Sequence, residues 1–475
     1  MPEQVEADIC VIGAGSGGLS VAAGAAQLGQ KVVLIERGKM GGDCLNYGCV
    51  PSKALLAAAR AASAVRLASR FGVSVGEPVV DYARVRAHVH GVIAAIAPND
   101  SVERFTGLGV RVVKGTAAFT GPGEVAAGEV RVRARRFVVA TGSSAAVPPI
   151  PGLDKVPYLT NETIFDLDRC PEHLIVIGAG PIGCELAQAH RRLGARVSVL
   201  ELATMMPKDD PELVDVVRRS LQADGVDILE GIKVKRVDAA GAGVSVTIEA
   251  GGAERRVEGA HLLIAAGRRA NVQGLNLEAA GVKYSPKGIE VDQRLRSSNP
   301  RVYAVGDVAG GYQFTHVAGH HAGIFIRNAL FRLPARADAA PVPWVTFTEP
   351  ELANVGLTEA EARKRHGDTV TLLRWPFHDN DRAQAERETH GLIKVVADAK
   401  GRLLGAGIVG PNAGDLILPW VLALSKRLTL RDMAAIIAPY PTLGEVTKRV
   451  AGSYFTPKLF APRTRRLVRL LSRLG

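Results

Sequence analysis

Two stretches of the chain share one order of apolar and polar positions. From Ala7, ADICVIGAGSGGLSVAAGAAQLGQKVVLIE passes from a continuous apolar run into a glycine-dense turn, then an alanine-rich helical segment, then a second apolar run ending at Glu36. From Glu172, EHLIVIGAGPIGCELAQAHRRLGARVSVLE repeats that order and ends at Glu201. Short apolar runs bounded by glycine read as strands buried on both faces, and a helix returning between two such strands makes them parallel. The pattern predicts two strand–turn–helix–strand units, hence an α/β protein with two Rossmann-like dinucleotide-binding domains. From PVPWVTFTEPELANVGLTEAEAR onward the text changes to strands such as LIKVV and LLGAGIVG and a helix around Leu416 to Lys426.

In both units the first glycine stands 23 residues before the glutamate, Gly13 to Glu36 and Gly178 to Glu201. Gly13 and Gly178 permit the tight turn, Gly15 and Gly180 let backbone approach a pyrophosphate, and Gly18 and Gly183 let helix pack on strand. The phosphates then meet a helix N-terminus, while Glu36 and Glu201, at the ends of the second strands, accept ribose hydroxyls. Two sites imply two dinucleotides. Glu201 is followed by LATMMPK, with no arginine beside it for a 2′-phosphate, so NADH is expected over NADPH; Lys208, Arg191, Arg192 and Arg196 are the cations that can fold back.

Directly after the first glutamate comes RGKMGGDCLNYGCVPSKALLAAARAA, in which Cys44 and Cys49 bracket four residues and a proline–serine–lysine opens a helix. A cysteine at a helix N-terminus with a lysine nearby favours the thiolate, the form that attacks disulfides, binds soft metals and donates charge to an oxidised flavin. A zinc pair or two packed thiols would use the same residues, but no second CxxC or cysteine–histidine pair stands at metal spacing, so no metal site is expected. Cys10, Cys170 and Cys184 read as packing.

The 475 residues suggest about three domains, and a composition 47% apolar and 22% charged is that of a globular chain. Five cysteines are too few and too odd for a disulfide scaffold, and the N-terminus lacks a basic signal-peptide region, so a cytoplasmic setting is expected. The net charge of +12 hints at nucleic acid, yet Lys458, Arg463, Arg465, Arg466, Arg469 and Arg473 supply half of it, so no nucleic-acid partner is expected. After Pro462, Leu467, Leu470, Leu471 and Leu474 fall on one helical face with Arg465, Arg466, Arg469 and Arg473 opposite. Such a helix suits an anionic membrane or an acidic partner, or packs on the protein itself.

The string GGDCLNYGCVPSKALL, with both glycine motifs, resembles the pyridine nucleotide–disulfide oxidoreductases, the group of dihydrolipoamide dehydrogenase, glutathione reductase and mercuric reductase. The resemblance runs essentially end to end. It implies a discontinuous FAD-binding domain over 1–150 and 268–337, an NAD(P)-binding domain over 151–267, a C-terminal α+β dimerisation domain over 338–460 and the basic helix over 461–475. It further implies a homodimer. By the same resemblance Cys49 is the flavin-side cysteine and Cys44 the interchange thiol, with Lys53 beside the flavin and Glu185 paired to it. Gly42, Thr141, Gly142, Asp307 in YAVGDVAG and Gly267 in IAAGRRAN fall at positions implied to hold or border the cofactor, Asp307 on the ribityl chain.

One position departs from the family pattern. Where a catalytic histidine precedes proline and threonine, this chain reads APYPTLGEVTKR, with Tyr440 in place of the histidine and Glu445 retained. A phenol of pKa about 10 donates a proton near neutrality but accepts one poorly. Oxidation of a dithiol is therefore expected to be weak and reduction of a small disulfide favoured, by way of the partner's Cys44. His316, His320 and His321 are the other groups available as a base, though FTHVAGHHAG is expected first of all to line the helix that points at the flavin. Mercuric reductases also carry tyrosine–proline here, which makes Hg(II) reduction an alternative without the usual C-terminal cysteines; a flavin-bearing redox sensor or membrane-associated binding subunit is a third. The stretch RWPFHDNDRAQAERETHG reads as a solvated hairpin.

Overall fold

A computed structural model describes residues 2–474. By compactness the chain forms two units, Met1–Leu202 with Asp227–Ala339, and Ala203–Val226 with Ala340–Gly475.

The first unit holds both predicted dinucleotide folds. Strands Glu3–Ile12 and Val32–Glu36, joined through helix Ser16–Gln27, pair in parallel, and the sheet extends through Val110–Lys114 on one side and through Val130–Val139 and Val302–Ala304 on the other. Its central strands are buried on both faces, which is why they read as unbroken apolar runs. The second fold repeats the arrangement. Strands His173–Ile177, Arg196–Leu200 and His261–Ile264 pair in parallel around helix Pro181–Arg192, whose first position is the φ-restricted Pro181. A three-stranded antiparallel meander, Lys233–Ala240, Gly243–Ala250 and Ala253–Gly259, follows. The two passages between the folds zip together, strand Ser143–Ala145 running antiparallel to Arg268–Ala270.

The second unit is a five-stranded antiparallel sheet in the order Pro343–Thr346, Glu351–Gly356, Leu403–Gly410, Leu392–Ala397, Thr371–Pro376. Trp420, Phe377, Val446 and Val450 fill the core against it. Compactness draws one helix away from the expected 151–267 domain. Helix Pro211–Ala223 is capped by Asp210, which accepts the Glu212 N–H at 3.0 Å, and it buries Leu213, Val214, Val217 and Leu221 within this second unit. Ser220 Oγ donates to the Glu349 carbonyl at 2.6 Å. At the head of the helix Lys394, 4% exposed, places Nζ 2.8 Å from Asp210 Oδ2, 2.8 Å from Glu212 Oε2 and 2.7 Å from Glu359 Oε2.

The stretch RWPFHDNDRAQAERETHG, expected as a solvated hairpin, connects two antiparallel strands, Thr371–Pro376 and Leu392–Ala397, but by a longer path than a simple turn. Strand Thr371–Pro376 runs instead into a short helix, Asp381–Glu386, because Asn380 caps it by accepting the Ala383 N–H at 3.0 Å. The tail forms helix Pro462–Leu471 with no buried residue, and among the described residues no helix is long and apolar enough to cross a membrane.

Candidate active site

The internal repeat holds at the level of atoms. Gly13 and Gly178 have φ of +105° and +111°, and a Cβ there would stand 2.5 Å from the Ala140 carbonyl oxygen and 2.4 Å from that of Ala265. At Gly18 and Gly183 a Cβ would fall 1.9 and 2.0 Å from the carbonyl oxygens of Gly13 and Gly178, so the helix sits against its own turn. Outward the second loop is open, since a Cβ at Gly180 meets nothing within 4 Å, while on the first a Cβ at Gly15 meets Gly42 Cα at 4.0 Å. Glu36 accepts the N–H groups of Ala14 and Gly38, both at 2.6 Å, and Glu201 accepts that of Ala179 at 2.7 Å. Each carboxylate is thus fixed at the rim of an open glycine loop at a helix N-terminus, an arrangement that fits a dinucleotide twice over.

The cysteine loop is seated on the first of these cradles. Gly42, at φ +58°, lies so close to Gly15 that a Cβ would be 2.7 Å from its Cα. Cys44 lies in helix Gly42–Asn46, and Cys49 is the first residue of helix Cys49–Leu67. Both are free thiols. Their mutual hydrogen bond, together with burial, pushes the Cys44 thiol well up, and the same bond draws Cys49 down to about 6 against the opposing effect of burial. Thr315 Oγ1, 3.3 Å from Cys49 Sγ, and the Lys53 ammonium also favour the Cys49 thiolate. Lys53, one turn along the same helix, places Nζ 2.7 Å from Glu185 Oε2, and Glu185 is 7% exposed. Cys44, Cys49 and Lys53 thus share one loop and helix start, and Glu185 lies against Lys53 as the family resemblance implied.

Around them, the residues that the resemblance implied to border the flavin are tied together by hydrogen bonds. Thr141 Oγ1 donates to the Asn271 carbonyl at 2.7 Å, Asn271 Nδ2 returns a bond to the Thr141 carbonyl at 3.0 Å, and the Asn271 N–H donates to the Gly142 carbonyl at 3.0 Å; at the other end of the strand pair the Gly267 carbonyl accepts the Ala146 N–H at 2.9 Å. Asp307, in the turn Gly306–Ala309, accepts the Ser143 hydroxyl at 2.5 Å, and burial holds its carboxyl above the usual range. Of the three histidines offered as bases, His321 is buried, accepts the Gly306 N–H through Nδ1 at 3.2 Å and is drawn down to about 4 by burial. It is a neutral structural group. His320 is exposed, and His316 stacks on Phe314 with ring centroids 5.2 Å apart.

Tyr440 and Glu445 lie in the second unit. Tyr440 is 69% exposed and donates its hydroxyl to Asp381 Oδ2 at 2.9 Å; that bond, with the charges of Asp381 and Glu445, raises the phenol above its ordinary value. Asp381 escaped the sequence reading because it joins Tyr440 only across 59 residues, and its one signal was the acidic text HDND. Thr315 escaped for the same reason at a separation of 266.

Known proteins agree with this geometry. The pattern described as pyridine nucleotide-disulphide oxidoreductase matches residues 7–322, and that of the corresponding dimerisation domain matches 342–451, which supports a homodimer. A mercuric reductase of Streptomyces lividans is 37% identical over 458 residues, covering 94% of this chain and 96% of its own. A dihydrolipoyl dehydrogenase of Thermus scotoductus is 38% identical over 450 residues, covering 92% and 95%. Among solved structures, the HOCl-induced flavoprotein disulfide reductase RclA of Escherichia coli superposes with a TM-score of 0.85 at 26% identity, over 94% of this chain and 99% of that one. Because the first pattern alone spans more than half of its length, the chain belongs to the pyridine nucleotide-disulphide oxidoreductases, enzymes that work with FAD and a pyridine nucleotide.

Proposed function

We propose that this enzyme uses NADH to reduce a small disulfide through the Cys44–Cys49 pair, in the reducing cytoplasm: NADH, a proton and RSSR give NAD⁺ and two RSH. The observation that carries this is a dithiol at a helix N-terminus, beside the Lys53–Glu185 pair, seated on one of two dinucleotide cradles. Bound FAD supplies the two-electron relay between nicotinamide and sulfur. Gly13, Gly15 and Gly18 with Glu36 hold the FAD pyrophosphate and ribose, and Gly178, Gly180 and Gly183 with Glu201 hold NADH. Thr141, Gly142, Gly267 and Asp307 border the flavin, Asp307 at its ribityl chain. Lys53, fixed by Glu185, keeps positive charge where negative charge gathers on reduction.

Cys44 then attacks the substrate disulfide, breaking its S–S bond while its proton passes to the departing thiolate, and the Cys49 thiolate attacks Cys44 in the mixed disulfide to expel the second thiolate, which takes its proton from solvent. A phenol raised by Asp381 stays protonated near neutrality and cannot take up a proton, so deprotonation of an incoming dithiol lacks help, whereas in disulfide reduction the Cys44 proton has the leaving thiolate as its acceptor. A Tyr440→His enzyme is expected to oxidise dihydrolipoamide about 10²-fold faster near pH 7, with disulfide reduction changed far less. No change in dithiol oxidation would remove Tyr440 from the acid–base position.

The same electrons can reduce Hg(II), with NADH giving NAD⁺, a proton and Hg(0). This second reading is favoured by tyrosine at position 440 and by the likeness to mercuric reductases; a Cu(II) complex of RclA is a further pointer to soft metals. The deciding experiment is anaerobic reduction with NADH or NADPH, then reoxidation by lipoamide, glutathione disulfide, other small disulfides and Hg(II). Turnover with a disulfide supports the first reading, and turnover with Hg(II) alone replaces it.

The tail extends the proposal to a surface. Helix Pro462–Leu471 leaves Leu467, Leu470 and Leu471 between 53 and 58% exposed, with arginines opposite and no acid, which complements an anionic lipid surface. Full-length enzyme should co-sediment at low salt with vesicles containing phosphatidylserine and leave those of phosphatidylcholine alone. Truncation after Phe460 should abolish this, and unchanged sedimentation refutes the contact.

A further inference from the structure

Beside the thiol pair stands a carboxylate that the mechanism does not use. Asp43 lies between Gly42 and Cys44, and its Oδ2 packs so near Gly48 that a Cβ there would be 2.9 Å away. Gly48 is the cap of the helix that Cys49 opens. A negative charge at that helix N-terminus competes with the thiolate for the same partial positive charge, and Asp43 opposes ionisation of Cys49.

The structure surrounds this acid. Asn161 Nδ2 donates to Asp43 Oδ1 at 3.0 Å, and Arg268 Nη2 stands 3.1 Å from Oδ2. Arg268 is 13% exposed and is itself fixed, with Nε donating to Ser143 Oγ and Nη2 to the Ser143 carbonyl, both at 2.8 Å. Ser143 in turn donates to Asp307. One guanidinium thereby links the cysteine loop to the loop carrying Asp307, through the strand pair that joins the two dinucleotide folds.

We propose that Arg268 is a positioning residue that neutralises Asp43 at the head of the Cys49 helix, so that the thiolate forms beside the acid, and that its anchorage through Ser143 ties this neutralisation to the cofactor side of the site. The proposal rests on the role given above to Cys49. It acts through Asp43, which gives it a signature that packing alone lacks. The other groups around Cys49 are Cys44, Lys53 with its partner Glu185, and Thr315, followed by His316. None of these is altered by the test.

The test is the pH profile of iodoacetamide alkylation at Cys49 in dithiothreitol-reduced holoenzyme, followed by peptide mass spectrometry. The wild-type profile is expected to be half-maximal near about 6. Arg268→Gln should move the midpoint up by about one pH unit, a tenfold change in proton concentration, and Arg268→Lys should recover part of the shift. Asp43→Asn should move it down. In an Asp43→Asn background, Arg268→Gln should have little further effect, because the charge it neutralises is gone. A full shift in that background shows that Arg268 acts on Cys49 directly, and no shift in the single variant shows that it does not act at all; either overturns the proposal. Asp43→Asn, which keeps the shape of the side chain, tests the same charge if Arg268→Gln folds poorly. Since alkylation needs no substrate, failure here leaves disulfide turnover unaffected. Loss of every substrate in the reoxidation panel would in turn leave these midpoints standing.

Discussion

A Cys49→Ser enzyme should lose NADH-driven disulfide reduction by roughly 10⁴-fold or more, the scale seen when a covalent nucleophile is removed. The expectation follows from the division of labour between the two sulfurs. Cys49 is the one drawn down to about 6, by Cys44, Thr315 and Lys53, whereas the Cys44 thiol is pushed up. A serine hydroxyl accepts the same hydrogen bonds but does not ionise near neutrality, so it cannot resolve a mixed disulfide on Cys44. The variant should therefore accumulate one substrate half on Cys44, visible by intact mass, and should lack the long-wavelength absorbance of a thiolate against oxidised flavin. Full turnover in Cys49→Ser would end the proposed mechanism.

In the second unit, Lys394→Met should lower stability by about 3–5 kcal/mol, or about 10 °C in the melting transition. The methionine fills the space but leaves Asp210, Glu212 and Glu359 converging on a site that was 4% exposed, with Arg374, 2.7 Å from Glu212, as remaining compensation. The effect should depend on pH. The Lys394 hydrogen bond holds Glu359 below the usual carboxylate range, and Arg374 followed by Lys394 does so for Glu212. Depressed carboxylates contribute stability that is present above the unfolded value of about 4.3 and lost as pH falls through the lower folded value. The cost of Lys394→Met should therefore be largest near pH 7 and shrink below about pH 4. A constant difference across that range would mean that the loss is one of packing alone. Hydrogen exchange in strand Leu392–Ala397 gives an independent measure of the same loosening.

What could be foreseen from the sequence was whatever is decided over short chain distances. Gly13, Gly18, Gly178 and Gly183 are forced by contacts within one turn or with the adjoining strand, and the 23-residue step to Glu36 and Glu201 is the length of one helix and one strand. Cys49 and Lys53 lie on one helical turn. Glu185 is matched to Lys53 only through the family resemblance, since 132 residues separate them. Thr315, which reaches Cys49 across 266 residues, carries no local mark, and Arg268 is marked only as part of the text IAAGRRAN, which gives no hint of its contact with Asp43. Helix Pro211–Ala223 shows the same limit from the packing side: its apolar face is plain in the text, but periodicity does not say which sheet it will cover. His321 shows a further limit, since an imidazole that accepts a backbone N–H in a buried turn reads like any other histidine until its surroundings are known.

That helix also carries a consequence for the order in which the protein is made. Its covering partners, strands Glu351–Gly356 and Leu403–Gly410, leave the ribosome more than a hundred residues after it. At 5–20 residues per second, Leu213, Val217 and Leu221 wait roughly 10–40 seconds for their sheet. During synthesis the nascent chain therefore displays an amphipathic helix that interrupts the sequence of the second nucleotide fold, and the last third of translation ends its exposure to chaperones and to other unfinished chains.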